Sequence, residues 1–214
     1  MLEHVPAWLG SLLKGVRAGA DKLVILQPDL AITDARIDLS SPAFADGARL
    51  PVRFTGDGEG VSPPLVWGEP PAGTAGFALL VEDADAPAPS PLVHALVWGL
   101  PADERRLAEG AIARDGHGGP DGRDVGRNSF LGEGWLPPDP PTGHGVHVYA
   151  FQLFALAEVP AIGANPGRGE LIRAMAGRVL AAGLLRGTYD RGEAESIGRA
   201  RTAAAPLGTL AAQQ

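Results

Sequence analysis

The sequence predicts a mainly β domain, and three observations predict it. Thirty glycines and twenty prolines in 214 residues exceed ordinary usage and favour a turn-rich β protein over a helical bundle. Two apolar runs, Phe77-Ala78-Leu79-Leu80-Val81 and Leu92-Val93-His94-Ala95-Leu96-Val97-Trp98, have the length and content of buried strands. In a third stretch, from His147 to Leu153, side chains alternate, so His147 and Tyr149 share a face with Phe151 and Leu153.

Taken in order, residues 7–19 carry Trp8, Leu9, Leu12, Leu13 and Val16 as one helical face, with Lys14 and Arg17 off it. That spacing predicts a helix docked on the body of the domain or on a second copy of the chain, as a homodimer. It is too short and too weakly basic for a membrane-surface helix. From residue 36 the pattern becomes β: Ile37 and Leu39 alternate with polar neighbours, and Leu50, Val52 and Phe54 alternate again. Gly56-Asp57-Gly58-Glu59-Gly60 reads as a flexible loop, without the Lys-Ser/Thr of a nucleotide-phosphate loop. The prolines of Ser62-Pro63-Pro64-Leu65-Val66-Trp67 hold that segment extended. A turn at Pro70–Thr74 leads into the two apolar strands.

Residues 101–145 read as a long loop, packed in part through Gly126–Phe130 and Trp135–Pro138. A strand over 146–156 follows, then a helix over 170–181 with Leu171, Ile172, Met175 and Val179 on one face. A short last strand is expected at 185–189. Beyond Asp190 the chain loses periodicity and reads as a mobile tail. The organisation is a helical extension over 1–35, one domain over 36–190, and a tail over 191–214.

The formal net charge of −7 argues against nucleic acid and against docking on anionic membranes. With no cysteine there is no disulfide framework and no thiolate chemistry. No apolar run reaches the length of a membrane span, and the start of the chain lacks a secretory leader, so a cytoplasmic location is expected.

Chemistry concentrates in two places. Asp83-Ala84-Asp85-Ala86-Pro87 lies between the two apolar strands, with His94 inside the second; His147 and Tyr149 open the third. Titratable groups at the lip of an apolar sheet are costly unless paired, so they form either a satisfied polar network or a site. Asp85 reads equally as a pocket residue and as a turn-capping carboxylate. His144 and His117, in Gly-rich segments, read as solvated, and Trp67 and Trp98 as core or pocket wall.

In order along the chain, Gly58-Glu59-Gly60-Val61-Ser62-Pro63-Pro64-Leu65-Val66-Trp67, Asp83-Ala84-Asp85-Ala86-Pro87, His94, and Gly143-His144-Gly145-Val146-His147-Val148-Tyr149 resemble the boxes of the phosphatidylethanolamine-binding protein family, in its bacterial Raf-kinase-inhibitor-like branch. The resemblance covers roughly residues 37–190. It implies a Greek-key antiparallel β-sandwich with a few peripheral helices. It also implies a small anion pocket lined by Asp83, Asp85, His94, His147 and Tyr149. Gly132 and Gly134, through backbone N–H groups, and Trp135 and Pro137, as wall, are expected to complete it. For some relatives the family name implies a protein kinase as partner. Where the family has Pro and Arg, this chain has Ala84 and Val148, and Trp135-Leu136 stands for Pro-Cys, which predicts a more apolar pocket.

Two functional classes follow. The first is a non-catalytic binding module for a small anion such as phosphate or a phosphorylated headgroup. An imidazolium held by a carboxylate donates to a phosphate oxygen, and a phenol adds a second donor. The second is an isomerase or hydrolase using Asp83, His94 and His147 as acid and base, although no Gly-x-Ser-x-Gly elbow is present. A metal held by two histidines and a carboxylate is a third, weaker arrangement. No cofactor is expected.

Overall fold

The computed structural model describes residues 7–32, 34–113, 124–163 and 165–191. The expected roles of His117 and of the tail from residue 192 lie outside them. Two antiparallel sheets face each other. The smaller has the order β1 (Leu39–Ser40), β2 (Leu65–Trp67), β5 (Arg106–Leu107). The larger has the order β6 (Asp124–Val125), β4 (Leu92–Pro101), β3 (Gly76–Asp83), β7 (His147–Leu156), β8 (Val179–Tyr189). Within it the chain runs β3, β4, β6 outward and then returns to lay β7 beside β3, which is the Greek-key order.

β3 is buried along its whole length because both its faces are covered, and this is why it reads as an unbroken apolar run. Phe77, Leu79 and Val81 pack with Trp67, Leu65, Phe151 and Leu153 between the sheets. Ala78 and Leu80 pack on the other side with Phe154, Leu171, Met175, Val24 and Leu30. That second layer is made by α2 (Arg168–Met175) and by successive 3₁₀ turns at Ala20–Lys22, Val24–Leu26 and Pro28–Leu30.

The structure corrects several expected boundaries. Helix α1 covers only Ala7–Leu12, and its apolar side is not docked: Trp8 and Leu12 are 68% and 72% exposed. Gly10 is its close contact, for a methyl there would strike the Thr142 carbonyl oxygen. The alternation at Leu50–Phe54 is not a strand; Val52–Phe54 is a 3₁₀ turn with Val52 half exposed. The helix expected over 170–181 ends at Met175, where Gly177 takes φ 70°, and Val179 begins an eleven-residue strand instead of closing the helical face. The loop over 101–145 contains the short strands β5 and β6.

Candidate functional site

The ends of β3, β4 and β7 meet at one edge of the inter-sheet core. On β3 and β7 the strand period alone delivers the site residues. Asp83 lies opposite Tyr149 in register, and Asp83 continues the inward row of Phe77, Leu79 and Val81. β4 needs more. Val81 pairs with Ala95 but Glu82 pairs with Val93, so His94 is the extra residue of a β-bulge. Strict alternation would put His94 on the face of Leu96 and Trp98. The bulge re-aims it into the space beside Tyr149, their rings edge to face at 5.1 Å.

These residues line a small cavity of about 30 Å³, room for about two water molecules. Its wall comprises Asp83, His94, His147 and Tyr149, with Pro87, Phe130, Leu136, Pro137 and Asp139. Two buried polar atoms here have no partner among the described residues: His94 Nε2 and the Tyr149 hydroxyl. His94 Nδ1 lies 2.7 Å from the Leu136 carbonyl oxygen, which only accepts, so the neutral ring carries its proton on Nδ1 and leaves a lone pair on Nε2. Burial holds this imidazole below the ordinary histidine value, against the pull of Asp83 and the Leu136 carbonyl. Burial, with Asp83 next, holds the Tyr149 phenol well above its ordinary value, so it keeps its proton and donates.

His147 is differently placed. Its Nδ1 lies 2.7 Å from Asp83 Oδ2 and its Nε2 2.7 Å from His144 Nδ1. Both nitrogens are spent on protein partners, so His147 has no free N–H for a ligand oxygen, contrary to the expectation for it. The same pairing leaves His147 no lone pair for the envisaged metal, so of the two histidines only His94 has a ring nitrogen open, Nε2. Asp83 is fixed in turn, its second oxygen accepting from the Asp85 N–H.

Asp85 does not line this cavity. Its carboxylate accepts from the Val148 N–H and pairs with Arg17, on the wall of a separate cleft of about 560 Å³ between the N-terminal 3₁₀ turns and the outer face of β7 and β8. Gly132 and Gly134 do not line it either. The Gly132 N–H is taken by Asn128 Oδ1, and the Gly134 carbonyl receives Asn128 Nδ2. Trp135 is buried behind the pocket, stacked on Phe151 at 6.3 Å, and Pro137 is in the wall.

Three residues near the cavity escaped sequence reasoning. Asp139 lines it and is paired with Arg191, which also binds Asp57. His144 is fully buried, not solvated. Its neighbours Gly143 and Gly145 take φ 81° and 105°, left-handed conformations that turn the chain so that His144 points inward. The Gly-His-Gly run was the available signal.

A family model described as phosphatidylethanolamine-binding protein matches residues 40–190. A UPF0098 protein of Methanothermobacter thermautotrophicus is 36% identical over 156 residues, 73% of this chain and 100% of the relative. A UPF0098 protein of Aquifex aeolicus is 35% identical over 161 residues, 73% of this chain and 90% of the relative. The crystal structure of E. coli YbcL, described as a new member of the mammalian PEBP family, superposes with a TM-score of 0.69 at 29% identity, covering 74% of this chain and 100% of that one.

Proposed function

This chain belongs to the phosphatidylethanolamine-binding protein family, and on that premise we propose that it binds a small anion or phosphorylated group in the pocket of His94 and Tyr149. One observation carries the reading. His94 Nε2 and the Tyr149 hydroxyl are buried and unpartnered at one cavity, and buried polar groups are otherwise nearly always bonded. Tyr149 donates to an anionic oxygen as it stands. His94 donates only after its Nε2 takes up a proton, so the anion brings a proton with it. Asp83 and Asp139, whose charges would repel an anion, are each tied to a partner, Asp83 to His147 and Asp139 to Arg191.

The cavity admits a small group, which favours a phosphoryl head over a whole lipid. Calorimetry with phosphate, phosphoethanolamine and a short-chain phosphatidylethanolamine tests this on the parent and on His94→Ala. Binding lost in the variant supports the pocket; equal binding by both removes it. The same lone pair on His94 suits a general base, so turnover of a small-molecule panel that vanishes in His94→Ala selects an isomerase or hydrolase instead. A protein kinase partner belongs to this proposal on family likeness alone, and a cytoplasmic location is proposed beside it. Among the described residues, no helix is long and apolar enough to cross a membrane. Co-purification from cells and cell fractionation test the partner and the location.

A further inference from the structure

The buried polar string behind the cavity does not end at His147. It runs from Asp83 Oδ2 to His147 Nδ1, from His147 Nε2 to His144 Nδ1, and from His144 Nε2 to the carbonyl oxygens of Leu13 and Val16, at 2.9 and 3.2 Å. Each of its three junctions needs a proton. The last is fixed, because carbonyl oxygens only accept, so His144 Nε2 carries a proton. An ionised carboxyl and two neutral imidazoles supply two protons, one fewer than the junctions require. The intact string therefore holds one additional proton. With His144 already donating through Nε2, its Nδ1 is the acceptor of the neutral ring, and His147 Nε2 is the donor facing it. The additional proton then leaves His147 protonated on both nitrogens, with Asp83 as its counter-ion.

We propose that His144 is a positioning residue that keeps His147 cationic at the pocket wall and makes that charge depend on the seating of the N-terminal segment. The proposal rests on the anion-pocket reading for its consequence, and on the hydrogen-bond string for its cause. The segment involved lies before residue 40, outside the span matched by the family model. It is seated by Gly10 against Thr142 and by Arg17 on Asp85 and on the Val146 carbonyl. Burial and the proximity of His147 both hold His144 below the ordinary histidine value, consistent with its staying neutral while His147 carries the charge. The other groups facing the pair are His94 on β4, Tyr149 on β7, Asp139 and Arg191 beyond the cavity, and Arg17 on the N-terminal side. Lifting the segment removes the acceptors of His144 Nε2. The ring is then free to exchange tautomer, and its Nδ1 no longer holds the His147 proton.

The test is ring-nitrogen NMR of the full chain labelled with ¹⁵N-histidine, from pH 5.5 to 8.5. At pH 7 the parent is expected to show both His147 nitrogens protonated and His144 protonated on Nε2 alone, with the two rings losing one shared proton in a single step. His144→Phe removes the acceptor, so His147 should lose its proton about one pH unit lower, and sulfate, an anion that does not titrate in this range, should bind about tenfold more weakly at pH 7. Gly10→Val pushes the segment off Thr142 and the His144 backbone while leaving every titratable side chain in place, and should move both readouts in the same direction by less. A bare His147 nitrogen in the parent at pH 7 overturns the proposal. So does an unmoved His147 titration in Gly10→Val, which decides the matter should His144→Phe fail to fold. The predicted ring states in a parent that binds no sulfate would support the positioning role and overturn the anion reading alone.

Discussion

Glu82 and Asp83 are neighbours on one strand, and both are buried, but they end in opposite kinds of surroundings. Glu82 faces the helical side, where Arg168, Gln152 and the Val24 N–H all donate to it, and Gln152 returns an oxygen to the Ile25 N–H. Both oxygens of Glu82 and both ends of the Gln152 amide are used, and the product is structural: the network ties the N-terminal 3₁₀ turns and α2 to the sheet. Asp83 faces the inter-sheet side, where its own pairing with His147 is complete but His94 Nε2 and the Tyr149 hydroxyl beside it are not bonded. A buried polar cluster that closes on itself makes a fold; one that leaves donors and acceptors open on a cavity makes a site.

Mutations separate the two sides. Glu82→Ala leaves Arg168 and two N–H donors without their buried acceptor. It should cost about 3–5 kcal/mol in denaturant unfolding, while the folded fraction binds sulfate as the parent does. Tyr149→Phe should do the reverse. Its hydroxyl has no partner to lose among the described residues, so unfolding should shift by less than about 0.5 kcal/mol, whereas anion affinity should fall about tenfold through a lost charge-assisted hydrogen bond. A Tyr149→Phe variant as unstable as Glu82→Ala would erase the contrast.

The pH dependence sharpens it further. His94 has its proton affinity depressed by burial, so the unfolded chain takes up a proton that the native protein refuses. Its contribution to stability is present above the ordinary histidine value of about 6.5 and is lost as pH falls below it, by up to about 1.4 kcal/mol per pH unit. His94→Gln should flatten that slope in sulfate-free unfolding curves. Sulfate affinity should move the opposite way, rising as pH falls from 8 to 6 by at most tenfold per unit, because the anion pulls a proton onto Nε2. The smallest effect concerns the exposed apolar side of α1. If Trp8 and Leu12 are covered in a homodimer, Leu12→Ser should raise the monomer fraction in sedimentation, with anion affinity unchanged.

Much of the architecture was legible because it follows from period and punctuation. The two apolar runs became β3 and β4, the His147–Leu153 alternation became β7, and the inward row of Tyr149, Phe151 and Leu153 is the core row. The helix ends were not legible: Val179 sits at a helical spacing from Met175, yet Gly177 breaks the chain between them and β8 takes Val179. Val52 alternates like a strand residue, but among the described residues no strand pairs with it and the chain closes into a 3₁₀ turn. At the site, Asp83, His147 and Tyr149 follow from strand period, whereas His94 reaches the pocket through a bulge that only pairing reveals. Asp85, read equally as a pocket residue and a turn-capping carboxylate, lies off the cavity because the strand ends at Asp83 and its period no longer sets where the next side chains point. His144 was misread because glycine neighbours signal a loop, and a loop can turn a side chain inward as readily as outward.

The most direct measurement is titration calorimetry of phosphate into the parent, Tyr149→Phe and Glu82→Ala, with unfolding curves of the same three proteins. The account predicts weakened binding with parental stability for Tyr149→Phe, and parental binding with lost stability for Glu82→Ala. Equal phosphate binding by the parent and Tyr149→Phe would contradict it, since the open hydroxyl would then have no part in holding an anion.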